Sequence, residues 1–149
     1  MNINMLERTR CFVPGTEIRM SNNTLKPIET ISIGEEVYSY DKTKDAFVRT
    51  KVTQAVKQVV KQMVRVSFEN GAVVTCTPNQ QFYCKCGTWV RADELEWRKV
   101  KLMGDPGSSM AVEVKWLPDF TQYVYDLVIK DYSSYLVTDQ NVVVHDFTI

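Results

Sequence analysis

Three observations predict an all-β domain. Short runs rich in β-branched and aromatic residues recur along almost the whole chain, and turn signals such as Asn22-Asn23 and Asn70-Gly71 separate them. Closely spaced short strands with frequent turns are typical of compact all-β folds. The chain has 149 residues and no Pro/Gly-rich linker, so the strands are expected to form one domain with its own core.

In the first half of the chain, hairpin signals define most of the predicted strands. Asparagine tolerates positive φ, so Asn22-Asn23 is expected to turn the chain, and Asn70-Gly71 is the strongest two-residue hairpin signal. The valine spacing in Phe47–Val60 also suits a helix, but its β-branched content favours one long or bent strand. The strands predicted here are Glu17–Met20, Leu25–Ile28, Glu36–Tyr40, Phe47–Val60, Gln62–Phe68 and Ala72–Cys76.

The second half continues in the same way. Gly87 is expected to turn the chain within a hairpin, Arg91–Leu95 to form one helical turn, and Gly104–Gly107 to form a surface turn. The strands predicted here are Gln81–Cys86, Trp89–Arg91, Met110–Trp116, Tyr123–Ile129, Tyr135–Thr138 and Val142–His145. Five aromatic side chains are most simply assigned to the core, namely Phe82, Trp89, Trp97, Trp116 and Tyr125.

Composition limits the classes of partner. Lys+Arg and Asp+Glu both number 18, so no basic excess points to nucleic acid. No apolar run approaches the length of a membrane span, and the first ten residues lack the apolar region of a secretory signal. Four cysteines without such a signal suggest free thiols in a reducing compartment. We therefore expect a cytoplasmic monomer that binds neither nucleic acid nor membrane.

Cys11 is the first candidate for chemistry. A thiol is the most nucleophilic ordinary side chain near neutral pH. The sulfur of Cys11 is a few atoms from the carbonyl carbon of Arg10, and Pro14-Gly15 turns the chain directly afterwards. The alternative is a small buried cysteine beside a turn, which is the commoner role of a single cysteine.

His145 is the candidate at the other end. The apolar run Val142–Val144 ends in the ionisable pair His145-Asp146, and His145 is the only histidine in the sequence. A lone histidine at a strand end is usually a surface residue or one with satisfied hydrogen bonds. A reactive residue at each end of a β domain is nevertheless what a self-processing module needs, because such a module must bring both of its junctions together.

The sequence resembles the Hint superfamily, which is shared by inteins, bacterial intein-like domains and hedgehog autoprocessing domains. The matching stretches occur in the family's order and are Cys11–Thr16, Ile28-Glu29, Ile33–Val37, Gly71–Asn79, Phe82-Tyr83, Trp89–Leu95, Val124–Ile129, Asp131–Val137 and Val142–His145. The resemblance implies a horseshoe-like β fold whose N- and C-terminal junctions meet at a central site. It divides the chain into an upstream flank (1–10), a Hint domain (11–146) and a downstream flank (147–149).

The resemblance also implies the chemistry at the upstream junction. Cys11 would attack the carbonyl of Arg10 and convert that peptide into a thioester by an N–S acyl shift. Thr77 would supply a hydroxyl or backbone donor to the same carbonyl. Asp126 would orient the thiol or relay its proton. No cofactor is required, the partner is the chain's own flanking polypeptide, and the location follows that of the host protein.

At the downstream junction the resemblance implies that His145 polarises the carbonyl of Asp146. The family normally has asparagine here, whose amide nitrogen cyclises onto its own carbonyl and releases the chain. An aspartate would have to attack through oxygen, so release is expected to be slow. Full splicing also needs Ser, Thr or Cys at the next position, and Phe147 has no nucleophile.

Two further positions depart from the family pattern. Gln80 occupies the place of a histidine, and a glutamine amide can donate a hydrogen bond to the scissile peptide but cannot deliver a proton near pH 7. Ser133 or Ser134 stands where a second histidine is common. Three functions therefore remain open: a splicing element, a domain that only cleaves (favoured by Phe147), and a degenerate module that merely holds its flanks together.

The other cysteines have two possible roles. Cys84-Lys85-Cys86 would place two thiols on one face of a strand, with Cys76 across the hairpin. No metal site is expected, because no histidine lies near them and the spacing is unlike that of a zinc site. A disulfide between Cys11 and one of these cysteines would gate the nucleophile.

Overall fold

A computed structural model describes residues 10–148, and within this range the chain forms β-strands joined by turns and two 3₁₀ turns, Ile28–Thr30 and Ala92–Glu94. The all-β prediction is confirmed. The strands are β1 (Glu17–Arg19), β2 (Leu25–Pro27), β3 (Glu36–Asp41), β4 (Ala46–Val60), β5 (Val64–Phe68), β6 (Val73–Cys76), β7 (Gln81–Tyr83), β8 (Trp89–Arg91), β9 (Lys99–Lys101), β10 (Ser108–Trp116), β11 (Gln122–Ile129), β12 (Ser134–Val137) and β13 (Val142–His145).

The strands form three sheets in which every pair is antiparallel. The first sheet has the order β2-β1-β12-β13-β7-β8, the second β6-β5-β10-β9 and the third β11-β4-β3. Pairing of β1 with β12, and of β13 with β7, joins the N- and C-terminal strands in one sheet. Phe12 bridges two other sheets, because it pairs with Tyr125 on one side and with Cys76 on the other.

The long strand β4 confirms the interpretation of Phe47–Val60 as strand rather than helix. Its first half pairs with β3, and its second half pairs with β11, where Val60 lies opposite Gln122. Val52 is the one side chain of β4 that is buried. The other valines of β4 thus do not form the continuous buried stripe that is typical of an amphipathic helix. Pairing along both halves supports β11, the strand on which the candidate site is built.

The two predicted asparagine turns are also confirmed. Asn23 has a φ of 72° and joins β1 to β2, and Gly71 has a φ of 92° and joins β5 to β6. Both are left-handed backbone conformations, which asparagine and glycine adopt at lower cost than other residues. The turn predicted within Arg91–Leu95 is present as the 3₁₀ turn that follows β8.

Two expectations about the core were wrong. Trp97 and Trp116 are 65% and 53% exposed. Trp97 has a φ of 66° in a turn, where its N–H donates to the carbonyl of Ala111 at 2.6 Å, and Trp116 is the last residue of β10. Phe82 is fully buried as predicted, whereas Trp89 and Tyr125 are half-buried.

Strand β9 was not predicted from the sequence. It contains only Lys99, Val100 and Lys101, so it offers a single apolar residue between two lysines. Val100 is fully buried, and the strand pairs with β10. Among residues 10–148 there is no helix with the length and hydropathy needed to cross a membrane.

The core joins the first residues of the described chain to the last. Phe12, Ile18, Phe82 and Tyr135 are fully buried within one apolar cluster. Complete burial of side chains of this size stabilises a fold by about 1.5–3 kcal/mol each. Cys11 and Asp146 have no exposed surface either, so both ends of the domain lie inside the protein.

Candidate active site

Strand β11 holds both ends of the domain. Phe12 and Tyr125 exchange two backbone hydrogen bonds of 2.8 Å, and the N–H of Phe147 donates to the carbonyl of Leu127 at 2.9 Å. Asp126 lies between these two attachment points and is buried. The residues next to each junction are therefore fixed on either side of one buried carboxyl group.

Thr77 contacts the upstream junction at the backbone nitrogen of Cys11. The N–H of Cys11 donates to Oγ1 of Thr77 at 3.0 Å, and the N–H of Thr77 donates to the carbonyl of Cys11 at 2.9 Å. The sequence led us to expect a contact with the carbonyl of Arg10. The hydroxyl instead holds the amide nitrogen that would leave if the Arg10–Cys11 peptide were cleaved.

The thiol of Cys11 is enclosed. Its Sγ lies 3.8 Å from Oε1 of Gln58, to which the thiol donates. Burial raises the pKa of the Cys11 thiol far above its ordinary value; the nearby Asp126 raises it further, and Arg10 opposes both. Cys11 is therefore a neutral thiol in the folded protein, and it must lose its proton as it attacks.

The carboxyl group of Asp126 is buried and hydrogen-bonded through one of its two oxygens. Its Oδ1 accepts from the N–H of Leu127 at 2.7 Å and from the hydroxyl of Tyr135 at 2.5 Å. Burial nevertheless raises the pKa of Asp126 well above that of an ordinary aspartate. Oδ2 is buried and has no partner among the described residues, so the proton of the neutral acid is expected on Oδ2.

His145 contacts the carbonyl of the downstream junction. Its Nδ1 is 2.8 Å from the carbonyl oxygen of Asp146, and the two form a hydrogen bond when Nδ1 carries the proton. The ring is held edge-on by Trp89, with ring centroids 4.7 Å apart. The carbonyl of the Asp146–Phe147 peptide thus has a side-chain donor directed at it.

The carboxyl group of Asp146 is surrounded by donors. Oδ2 accepts from the N–H of Ile129 at 2.9 Å, and Oδ1 accepts from the N–H of Thr148 at 3.0 Å and from its hydroxyl. Burial alone would raise the pKa of Asp146. Hydrogen bonds from His145, Thr148 and Ile129 outweigh that effect and lower the pKa below the ordinary value.

Gln80 contacts the downstream end of the domain. It is fully buried, and its Nε2 donates to the carbonyl of His145 at 3.0 Å. The sequence suggested a contact with the upstream scissile peptide. Ser134 hydrogen-bonds to Ser39 at 2.8 Å, and the carbonyl of Ser133 accepts from the N–H of Asp146 at 2.9 Å.

None of the four cysteines is paired with another. Cys11, Cys76 and Cys84 are buried, Cys86 is exposed, and all four are free thiols. The proposed gating disulfide is therefore not formed. Within residues 10–148 no three Cys, His, Asp or Glu side chains are grouped so that they could hold a metal ion.

Two residues of the site were not anticipated. Gln58 is on the polar half of β4, and only its register opposite Val124 brings it to the thiol. Tyr135 stands in the apolar run of β12, where it looks like an ordinary core residue. Neither has a sequence signal of its own: Gln58 depends on the pairing of β4 with β11, and Tyr135 reaches Asp126, nine residues earlier, across two different sheets.

The model of a protein family described as "Pretoxin HINT domain" matches residues 18–147. This chain belongs to that pretoxin Hint family. The matched range includes Thr77, Asp126, His145 and Asp146 and begins after Cys11. The resemblance to the Hint superfamily is therefore confirmed. No curated protein sequence matches this Hint domain.

Solved structures of similar fold include an intein and an intein-like domain. The DnaB intein from Synechocystis sp. PCC 6803 has a TM-score of 0.82 at 16% identity, over 94% of this chain and 99% of that one. The bacterial intein-like domain from Clostridium thermocellum has a TM-score of 0.82 at 26% identity, over 91% and 98%. The predicted Hint-type β fold is confirmed.

Proposed function

We propose that this Hint domain cleaves its own backbone. It would convert the Arg10–Cys11 peptide into a thioester by an N–S acyl shift and release the downstream segment slowly after Asp146. The observation that supports this best is the attachment of both junctions to β11, on either side of Asp126. In this proposal residues 11–146 are the processing domain, and the flanking polypeptide on each side is its substrate.

At the upstream junction the sulfur of Cys11 forms a bond to the carbonyl carbon of Arg10, and the bond from that carbon to the Cys11 nitrogen breaks. The thiol loses a proton and the leaving nitrogen gains one, so the shift is balanced without a cofactor. Asp126 performs the transfer, because its unpartnered Oδ2 carries a proton to give and can then accept the one from the thiol. Thr77 holds the leaving nitrogen in place.

At the downstream junction His145 polarises the carbonyl of Asp146 through Nδ1. Release requires a carboxylate oxygen of Asp146 to bond to its own carbonyl carbon while the bond from that carbon to the Phe147 nitrogen breaks. The product is a cyclic anhydride that water then hydrolyses, and the leaving nitrogen takes its proton from water. That carboxyl is ionised and already held by Ile129 and Thr148, so it is a weak nucleophile in a fixed position. Slow release is therefore expected.

Cleavage without ligation is favoured over splicing. Ligation would require residue 147 to accept the acyl group from Cys11, and Phe147 packs in the same apolar cluster as Cys11 without offering a nucleophile. The similarity to a bacterial intein-like domain and to a family described by its occurrence in pretoxins supports a domain that frees an attached segment. A degenerate module that only holds its flanks remains the alternative.

Intact mass spectrometry tests the proposal. Incubation with dithiothreitol or hydroxylamine should release the peptide that ends at Arg10, because either reagent captures a thioester. Cys11→Ala should abolish that release, and Cys86→Ala, which removes an exposed thiol elsewhere, should not. Unchanged cleavage in Cys11→Ala would disprove the assigned nucleophile, and no cleavage in any variant would favour the degenerate module.

A further inference from the structure

The side chain of Arg10 contacts the opposite end of the domain. Its Nη2 donates to the carbonyls of Phe147, at 3.4 Å, and of Thr148, and its Nη1 donates to Oε1 of Gln81 at 3.1 Å. The residue directly before the nucleophile thus binds the backbone that follows the downstream junction. A guanidinium is a planar fork of donors, so one arginine can hold two neighbouring carbonyls and an amide oxygen at once.

Phe147 links this contact to Cys11. A small apolar cluster contains the buried Cys11, Met63 and Val124, and Phe147 packs against it together with Val13, Val60 and Leu117. The thiol has no exposed surface. Whatever keeps the backbone of Phe147 in place therefore also keeps an aromatic ring against the apolar cluster that contains the nucleophile.

We propose that the domain selects arginine at the substrate position before Cys11, because the guanidinium of Arg10 binds the backbone after Asp146 and so holds Phe147 against the cluster that contains Cys11. The domain would then select the residues on both sides of itself: a forked cation upstream and an aromatic residue downstream. The selection of flanking residues rests on the proposed function. The contact of Arg10 with the backbone of Phe147 and Thr148 does not depend on it.

Charge supports the same assignment. Arg10 lies close enough to Cys11 and Asp126 to lower the pKa of both groups against the effect of burial. Lysine at this position would keep the positive charge but lose the fork, because an ammonium is a point charge on a flexible stem. Arg10→Lys therefore separates recognition by geometry from a general effect of charge.

Amide hydrogen exchange measured by NMR tests the contact without requiring cleavage. The amides of Phe147 and Thr148 donate to Leu127 and Asp146, and Arg10 holds the carbonyls of the same two residues. In Arg10→Ala these amides should exchange roughly tenfold faster or more, since the segment loses the charged donor that holds its carbonyls and opens more readily. Arg10→Lys should give an intermediate increase. The matched control is Arg49→Ala, because that guanidinium lies 5.9 Å from the ring of Tyr38 and away from both junctions. The amide of Val143, in β13, reports global stability.

Exchange rates of Phe147 and Thr148 within twofold of the parent, or an equal acceleration of Val143, would overturn the proposal. A second variant tests the role of the ring. Phe147→Ala keeps Arg10 and should speed alkylation of Cys11 by N-ethylmaleimide at least severalfold, with the exposed Cys86 as the internal reference. No change would show that Phe147 does not shield the thiol.

The cleavage assay then separates this inference from the function on which it builds. If Cys11-dependent cleavage occurs, Arg10→Ala should alter its rate, whereas Arg49→Ala should leave the rate at the parental value. If no variant cleaves while the exchange result holds, the proposed function fails and the contact stands. If cleavage occurs at the same rate with Arg, Lys or Ala at position 10, Arg10 does not determine specificity.

Discussion

The hydroxyl of Tyr135 donates to Oδ1 of Asp126 at 2.5 Å, across two different sheets. Tyr135 is fully buried and its ring packs edge-on against Phe12, with centroids 6.1 Å apart. The phenol therefore fixes one carboxyl oxygen and leaves the other, Oδ2, without a partner among the described residues. In the proposed cleavage, Oδ2 is therefore the oxygen of Asp126 that would transfer a proton.

Tyr135→Phe should change the pH dependence of upstream cleavage. The lost hydrogen bond favours the ionised carboxyl, so its removal should raise the pKa of Asp126 further and move the alkaline limb of the rate profile to higher pH. The free energy of unfolding should fall by about 1–3 kcal/mol. Rates against pH and urea denaturation measure the two effects. Tyr123→Phe, on an exposed side chain, is the control, and identical behaviour of the two variants would contradict the assigned role.

The contributions of Asp146 and Asp126 to the free energy of unfolding should change with pH in opposite directions. The pKa of Asp146 is lowered by folding, so its contribution is present above the ordinary carboxyl pKa of about 3.9 and is lost as pH falls. The pKa of Asp126 is raised, so its contribution is present at low pH and is lost as pH rises. Urea denaturation between about pH 3 and about pH 8 measures both slopes.

In that series Asp146→Asn should flatten the acid limb, because asparagine has no proton to bind. Asp126→Asn should remove the loss of stability on the alkaline side. A parental acid limb in Asp146→Asn would show that this carboxyl is not stabilised by its donors in solution.

Gln80→Leu should act on the downstream junction. The substitution leaves the buried carbonyl of His145 without its donor, which costs about 1–3 kcal/mol. In an Asp146→Asn background, release after residue 146 should slow roughly tenfold, while upstream cleavage stays within a few-fold. Mass-spectrometric time courses measure both junctions, with the exposed Gln62→Leu as the control. A larger effect upstream than downstream would reverse the assignment.

Asp146→Asn and Phe147→Cys should separate release from ligation. Asp146→Asn alone should speed release, because an amide nitrogen can cyclise onto the adjacent carbonyl, but it should yield no joined flanks. Adding Phe147→Cys supplies an acceptor and should allow joining. His145→Ala in the double variant should slow release, since Nδ1 no longer polarises the carbonyl. Joined flanks from Asp146→Asn with Phe147 intact would contradict the scheme.

The sequence was informative wherever a local signal determined the structure. Asn23, Gly71 and the β-branched content of β4 predicted their turns and strand, because backbone preference acts within a few residues. Strand β9 was missed because its three residues carry a single apolar side chain, although it forms a local hairpin with β10. The exposure of Trp97 was missed because it depends on a turn whose N–H pairs with the carbonyl of Ala111 on β10.

The same division applies to the site. The contact of His145 with the carbonyl of Asp146 could be anticipated, since the two residues are adjacent in sequence. The positions of Gln80 and Thr77 relative to the junctions could not, because a shift of a few ångströms decides which peptide atom each side chain contacts. The contacts of Gln58 and Arg10 could be identified only from the structure, because they depend on where β4 and the two ends of the domain lie.

The contact of Arg10 with the backbone at Thr148 has a consequence for any protein that carries this domain between two of its own segments. The chain enters and leaves within the reach of one side chain, so the two host segments are held next to each other. If the domain were inserted in a surface loop of its host, it would hardly increase the distance between the two ends of that loop. Insertion is tolerated where the ends of the inserted unit lie close together. Such a host could reach its native topology while the insert is still in place.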